Sequence, residues 1–89
     1  MRLKENYTLR QLGDEYIITP KQVGHVDFNR LMMLNESGAY LWREVEGRDF
    51  DTNDLARLLT EAYNIDEKTA CTDAEQMVRQ WKLHGLIDQ

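Results

Sequence analysis

The order of hydrophobic and polar positions divides the chain into a β-rich first part and a helical second part. Residues that favour pleated structure alternate over Tyr7–Leu12 and Glu15–Thr19, on either side of Gly13-Asp14. This arrangement is typical of a β-hairpin. Pro20 ends the second strand because it has no amide N–H to give to a ladder. After a polar loop, the apolar run Arg30–Leu34 predicts a third strand.

Three amphipathic helices follow. Asn35 is the predicted N-cap of a first helix over Glu36–Val45, and Asp51–Asp54 opens a second helix. A third helix begins at Asp66–Glu67 or at Thr69 and ends at Gly85, after which Leu86-Ile87 folds back onto the core. Three strands followed by three helices predict an α+β fold, with the helices on one face of a small antiparallel sheet. The apolar stripes of the second and third helices are Leu55, Leu58, Leu59, Ala62 and Tyr63, and Ala70, Ala74, Met77, Val78 and Trp81.

Length and charge limit the classes of protein. A chain of 89 residues predicts one domain over residues 1–89 with one modest core. The net charge of -5 argues against nucleic acid as a partner, because phosphate binding needs clustered Lys and Arg. No apolar run is long enough to span a membrane, so no membrane partner is expected. Because Cys71 is the only cysteine, we expect no internal disulfide and a cytoplasmic location.

The sequence carries no recognisable catalytic constellation. Nothing in the pattern brings His25 or His84 to Cys71, and two isolated histidines do not make a metal site. There is no glycine-rich phosphate loop. We therefore expect a binding protein that is not an enzyme and that has no cofactor and no metal.

The third predicted strand is the best candidate for binding. Leu31, Met32, Met33 and Leu34 are apolar on both sides of the strand and carry no charge or proline to protect an edge. Two interpretations stay open at this point. The strand is either central, with its methionines in the core, or it is an open edge that accepts an extended peptide.

Several segments stand out by their order and spacing. The hairpin ends in Tyr16–Pro20, and Asp27–Asn29 leads into the third strand. The most characteristic segment is Leu34–Trp42. It is followed by Asp51–Tyr63, Asn64–Asp66, Asp73 with Met77-Val78, and Gly85–Ile87. Together these segments resemble the PqqD-like family, the RiPP recognition elements. Two positions depart from similar sequences: Arg30 replaces a small residue, and Trp81 replaces an aliphatic one, for which we expect a place in the core.

The resemblance implies a winged-helix-like domain that binds the leader segment of a ribosomally made precursor peptide. The leader would add as a strand beside the third strand, and the domain would present it to a tailoring enzyme, often a radical SAM protein. Alternate strand side chains face opposite ways, so only some of them would touch the leader. Carried over by position, the leader-binding residues are Leu31, Met32, Met33 and Leu34 from the strand, and Asp73, Gln76, Met77 and Gln80 from the third helix.

Two alternatives remain from the sequence. A winged helix could bind DNA, although the third helix is close to electrically neutral. The open edge could also pair with a second copy of the chain and give a homodimer that competes with peptide. For the leader-binding interpretation, we expect Met32→Asp or Met77→Asp to weaken binding without unfolding the domain.

Overall fold

The structure is a computed structural model that describes residues 1–21 and 32–88. Its strands and helices are β1 (Arg2–Leu3), β2 (Tyr7–Leu12), β3 (Glu15–Pro20), β4 (Met32–Leu34), α1 (Glu36–Val45), α2 (Thr52–Ala62), α3 (Glu67–Leu83) and β5 (Ile87–Asp88). The three-stranded sheet of β2, β3 and β4 followed by three helices confirms the predicted α+β fold. The predicted loop before β4, and Arg30 and Leu31 of the predicted third strand, lie outside the described residues.

The strands form two antiparallel sheets. The larger sheet has the order β2-β3-β4, and the hairpin register pairs Leu12 with Glu15 around the predicted turn. The smaller sheet pairs β1 with β5, so the two ends of the described chain lie side by side. This second sheet is not predictable from the sequence pattern, because strands of two residues carry no periodicity to detect.

Each helix begins at a side-chain cap that the sequence indicates. The Gly38 N–H donates to Asn35 Oδ1 over 2.7 Å at the start of α1. Asp51 and Asp54 form a reciprocal capping box at the start of α2. Asp66 Oδ1 accepts from the Thr69 N–H over 2.8 Å, which settles the start of α3 in favour of Asp66–Glu67. These caps satisfy amide groups that the first helical turn leaves without a partner.

Gly85 ends α3 in a Schellman motif, as the sequence predicts. Its φ of 69° is in the left-handed region, where a residue with a Cβ is strained. The Gly85 N–H donates to the Lys82 carbonyl and the Leu86 N–H donates to the Trp81 carbonyl, over 3.0 and 2.9 Å. Leu86 is buried as a result, and the chain turns back towards β5.

Two tryptophans form the centre of the core. Trp42 of α1 and Trp81 of α3 are both fully buried, and their rings meet edge to face with centroids 5.5 Å apart. The rings of Phe50 and Trp81 also meet edge to face, with centroids 6.1 Å apart. This confirms Trp81 as a core residue. No helix in the described part of the chain is long and apolar enough to cross a membrane.

Candidate functional site

β4 is an edge strand of the described sheet. It pairs with β3 on one side, and no described strand lies on its other side. The register places Met32 opposite Ile18, Met33 opposite Ile17 and Leu34 opposite Tyr16. Of the two interpretations left open by the sequence, the described strands therefore favour the edge.

The hydrogen-bond pattern indicates which backbone groups of β4 face outwards. The Lys21 N–H donates to the Asn6 carbonyl over 2.8 Å, so Lys21 points its backbone groups towards β2. Because the direction alternates along a strand, Ile17 also points towards β2, whereas Ile18 points towards β4. Met32, opposite Ile18, then bonds β3, and Met33 directs its N–H and C=O away from β3 to the open edge.

The side chains of β4 alternate in the same way. Met32 and Leu34 are 8% and 7% exposed and belong to the hydrophobic core, whereas Met33 is 55% exposed on the opposite face. Met33 therefore combines an exposed side chain with backbone groups that face the open edge.

A groove separates this edge from α3. Its first part, here called the strand compartment, has a volume of about 320 Å³. It is lined by Met32, Met33, Leu34, Asn35, Met77, Gln80 and His84. The second part, here called the helix compartment, has a volume of about 260 Å³. It is lined by Asn35, Ser37, Leu41, Leu59, Asp73, Gln76, Met77 and Gln80.

The two compartments share Asn35, Met77 and Gln80, so these residues form the boundary between them. Met77 is the apolar member of the boundary and is half-buried. Its Cε would lie 3.0 Å from a Cβ built on Gly38, so the missing side chain of Gly38 provides the space that Met77 occupies.

A third cavity of about 340 Å³ continues from the helix compartment towards the segment that connects α2 to α3. It shares Asn35, Ser37, Leu59 and Asp73 with that compartment and adds Tyr63 and Ile65 on its apolar side. The carboxyl groups of Glu36 and Asp73 line it. The groove as a whole thus has apolar walls with amides, a hydroxyl and carboxylates among them.

The structure brings the described site residues of the sequence analysis together. Met32, Met33 and Leu34 line the strand compartment, and Asp73, Gln76, Met77 and Gln80 line the helix compartment. Leu31 lies outside the described residues. The predicted site residues did not include Ser37, Leu41, Leu59 and His84, whose place in the two compartments depends on how the helices pack. Sequence reasoning found Asn35 only as a cap, although Asn35 lines all three cavities.

Outside the groove, the described residues include the free thiol of Cys71 but no metal-binding group. No group of three or more His, Cys, Asp and Glu residues in residues 1–21 and 32–88 could hold a metal ion. Cys71 is a half-buried free thiol beside a separate cavity of about 530 Å³, which also touches Arg57 and Glu67. That cavity shares no lining residue with the strand or helix compartment.

Fold and site together define a small α+β domain in which an open sheet edge faces a helix across a groove. The chain belongs to the PqqD family: the family model described as coenzyme PQQ synthesis protein D matches residues 9–87. No curated protein sequence matches the chain significantly.

Two solved structures share this fold. One is TbiB1 in complex with the TbiA(beta) leader peptide, with 17% identity and a TM-score of 0.73 over 99% of this chain and 95% of that chain. The other is a lasso peptide synthetase B1 complexed with the leader peptide, with 20% identity and a TM-score of 0.68 over 96% of this chain and 93% of that chain.

Proposed function

We propose that this protein is a peptide-binding adaptor without catalytic activity of its own. It binds the leader segment of a ribosomally made precursor peptide as an added strand and presents it to a tailoring enzyme. The open edge of β4 beside the α3 groove is the observation that carries this proposal. TbiB1 and the lasso peptide synthetase B1, which are similar to this chain in fold, are both in complex with a leader peptide, and this supports a leader peptide as the ligand.

Strand addition fits the chemistry of the edge. An added strand gains affinity from main-chain hydrogen bonds and specificity from pockets for alternate side chains. Met33 offers a backbone donor and acceptor, and the compartments beside it offer such pockets. The leader-binding residues are Leu31, Met32, Met33, Leu34, Asp73, Gln76, Met77 and Gln80, in which Met32 and Leu34 contribute mainly by holding the strand in place.

The charge distribution supports peptide rather than DNA as the ligand. Lys68, Arg79 and Lys82 of α3 are balanced by Glu67, Asp73 and Glu75. A helix that enters a DNA groove needs an excess of cations, and the whole chain carries a net charge of -5. A radical SAM protein is the tailoring partner that we propose from family membership.

The proposal is tested by titrating the isotope-labelled protein with synthetic peptides that tile the leader of a precursor encoded beside it, followed by two-dimensional NMR. We expect shifts concentrated at β4 and along Asp73–Gln80. Met33→Pro removes the outward N–H but leaves the bonds to β3 intact, so we expect at least about tenfold weaker binding by a folded protein.

Met33→Ala is the matched control, because it keeps the N–H and removes only the exposed side chain. Equal binding by Met33→Pro and Met33→Ala would contradict strand addition. A salt series tests the DNA alternative. That alternative would be favoured if the protein bound a DNA duplex with an affinity that falls steeply as salt is added, while the affinity for peptide did not show this dependence. A concentration-dependent dimer that peptide does not dissociate would assign the edge to a second copy of the chain.

A further inference from the structure

We infer that Met77 is the specificity-determining residue of the groove, and that it selects peptides with two apolar side chains two residues apart. This inference rests on the proposed strand addition. One of the two side chains enters the strand compartment and the other enters the helix compartment. Met77 stands between them as a partition.

The register of the edge fixes which peptide side chains face the groove. A peptide residue that bonds to the outward N–H and C=O of Met33 lies beside Met33 and points its side chain to the same face, away from the core. Its two sequence neighbours point the other way, towards the groove. Two side chains separated by one outward residue are therefore the pair that the groove can read.

The order of the lining residues places this pair on either side of Met77. The strand compartment is lined by Met32 and by His84, near the C-terminal end of α3. The helix compartment lies beyond Leu34, beside Asn35 and Asp73. β4 and α3 therefore run in opposite directions along the groove, and Met77 and Gln80 lie midway between its ends.

Each compartment has an apolar side that can receive a peptide side chain of moderate size, next to polar residues at its rim. The strand compartment presents the side chains of Met32, Leu34 and Met77, and the helix compartment presents Leu41, Leu59 and Met77. With Met77 in place, the compartments measure about 320 and 260 Å³ and open to solvent between polar side chains. Because a methionine side chain is unbranched and has several rotatable bonds, it adapts to both neighbours at once.

Gly38 is the second part of the partition. A Cβ at this position would lie 3.0 Å from Met77 Cε and 3.5 Å from Leu34 Cβ. Gly38→Ala therefore displaces the end of Met77 towards one compartment, whereas Met77→Ala removes the partition and joins the two compartments. The two substitutions change the same boundary in different ways.

The inference is tested by selecting short random peptides displayed on phage against the full chain, in parallel for the wild-type protein, Met77→Ala, Gly38→Ala and Met33→Pro. For the wild-type protein, we expect enriched peptides with apolar residues two positions apart. For Met77→Ala, we expect peptides with a single large aromatic residue to replace those with the pair. The ratio of enrichment between these two kinds of peptide should change by roughly tenfold or more. Gly38→Ala should favour a smaller residue at one of the two positions.

The outcomes separate the inference from the function on which it rests. If no peptide is enriched in a manner that Met33→Pro abolishes, strand addition itself fails. If Met33→Pro abolishes enrichment, the adaptor function stands. The role of Met77 is then overturned if the selected peptides lack the spaced pair, or if the wild-type protein, Met77→Ala and Gly38→Ala all select the same pattern. Should Met77→Ala not fold by circular dichroism, Gly38→Ala carries the comparison.

Discussion

Met77 Cε of α3 lies 3.0 Å from the position where a Cβ on Gly38 of α1 would be. A contact this short is tighter than side chains normally make, so a side chain at position 38 would require the flexible end of Met77 to shift. Asn35 Oδ1 lies at the same distance from that position, because it accepts the cap hydrogen bond from the Gly38 N–H.

The Gly38–Met77 relationship predicts a measurable coupling. Gly38→Ala gains at most about 1 kcal/mol of helix propensity but meets both Met77 Cε and Asn35 Oδ1, so we expect little net change in the free energy of unfolding. In the Met77→Ala background the contact with Met77 is gone and the contact with Asn35 Oδ1 remains, so the same substitution should be more favourable than in the wild-type background by about 0.5 kcal/mol or more. Urea unfolding of the four proteins of this double-mutant cycle measures the difference. Strict additivity would show that the two residues do not interact.

Met32 and Met33 are adjacent but should respond in opposite ways to aspartate. Met32 is 8% exposed in the core, so Met32→Asp buries an unpaired carboxylate and should cost about 3 kcal/mol or more. Met33 is 55% exposed, and Met33→Asp should change stability by less than about 0.5 kcal/mol. Burial thus revises the expectation that Met32→Asp leaves the domain folded. Equal stabilities in denaturant would contradict the assigned face of β4.

Asn35 is expected to affect stability and binding separately. Asn35→Ala removes the α1 cap and should lower the free energy of unfolding by about 1 kcal/mol. Asn35→Asp keeps a capping oxygen and places a negative charge at a helix N-terminus, so stability should be unchanged or higher. Because Asn35 lines the groove, Asn35→Asp should weaken binding of acidic peptides relative to basic ones. Calorimetric titration with a charge-reversed peptide pair measures this ratio, and an unchanged ratio would remove Asn35 from the site.

Trp81 should dominate the stability of the core. It is fully buried and packs against both Trp42 and Phe50, so Trp81→Ala should cost about 3–5 kcal/mol. Trp81→Phe should cost less, because it keeps an aromatic ring and removes an indole N–H that finds no acceptor among the described residues. Thermal unfolding compares the two variants. A Phe variant as unstable as the Ala variant would contradict this account.

The caps predict an acid-sensitive stability. Hydrogen bonds from Thr69 hold the pKa of Asp66 below its ordinary value, and the backbone hydrogen bond between Asp51 and Asp54 does the same for the pKa of Asp54. As the pH falls, the unfolded state binds protons at these carboxylates before the folded state does. The caps therefore contribute fully to the free energy of unfolding above the unfolded pKa of about 3.9. Their contribution is lost as the pH falls through the folded pKa.

Asp66→Asn tests this pH dependence, since an amide caps a helix about as well and does not titrate in this range. Between neutral and acid pH, the free energy of unfolding should decrease less in Asp66→Asn than in the wild-type protein. Asp66→Ala should already be less stable at neutral pH. If the stability of the wild-type protein and of Asp66→Asn decreased equally at acid pH, the Asp66 carboxylate would not contribute to the pH dependence of stability.

Local patterns were sufficient for much of the fold. The alternation in Tyr7–Leu12 and Glu15–Pro20 predicted the hairpin, and the side chains of Asn35 and Asp66 predicted two helix starts, because caps and turns depend on neighbouring residues. The β1–β5 sheet could not be predicted, because two-residue strands depend on contacts between the ends of the chain.

By itself the sequence determined the order of β2, β3, β4 and the three helices, the helix caps, the acidic net charge and the apolar character of β4. Only the tertiary structure decided that Met32 faces the core while Met33 faces the edge, and that Met77 of α3 meets Gly38 of α1. The reason is physical: a strand that is apolar on both sides has no preferred face until its partners are placed. A groove between a strand and a helix exists only once both have packed on the same core.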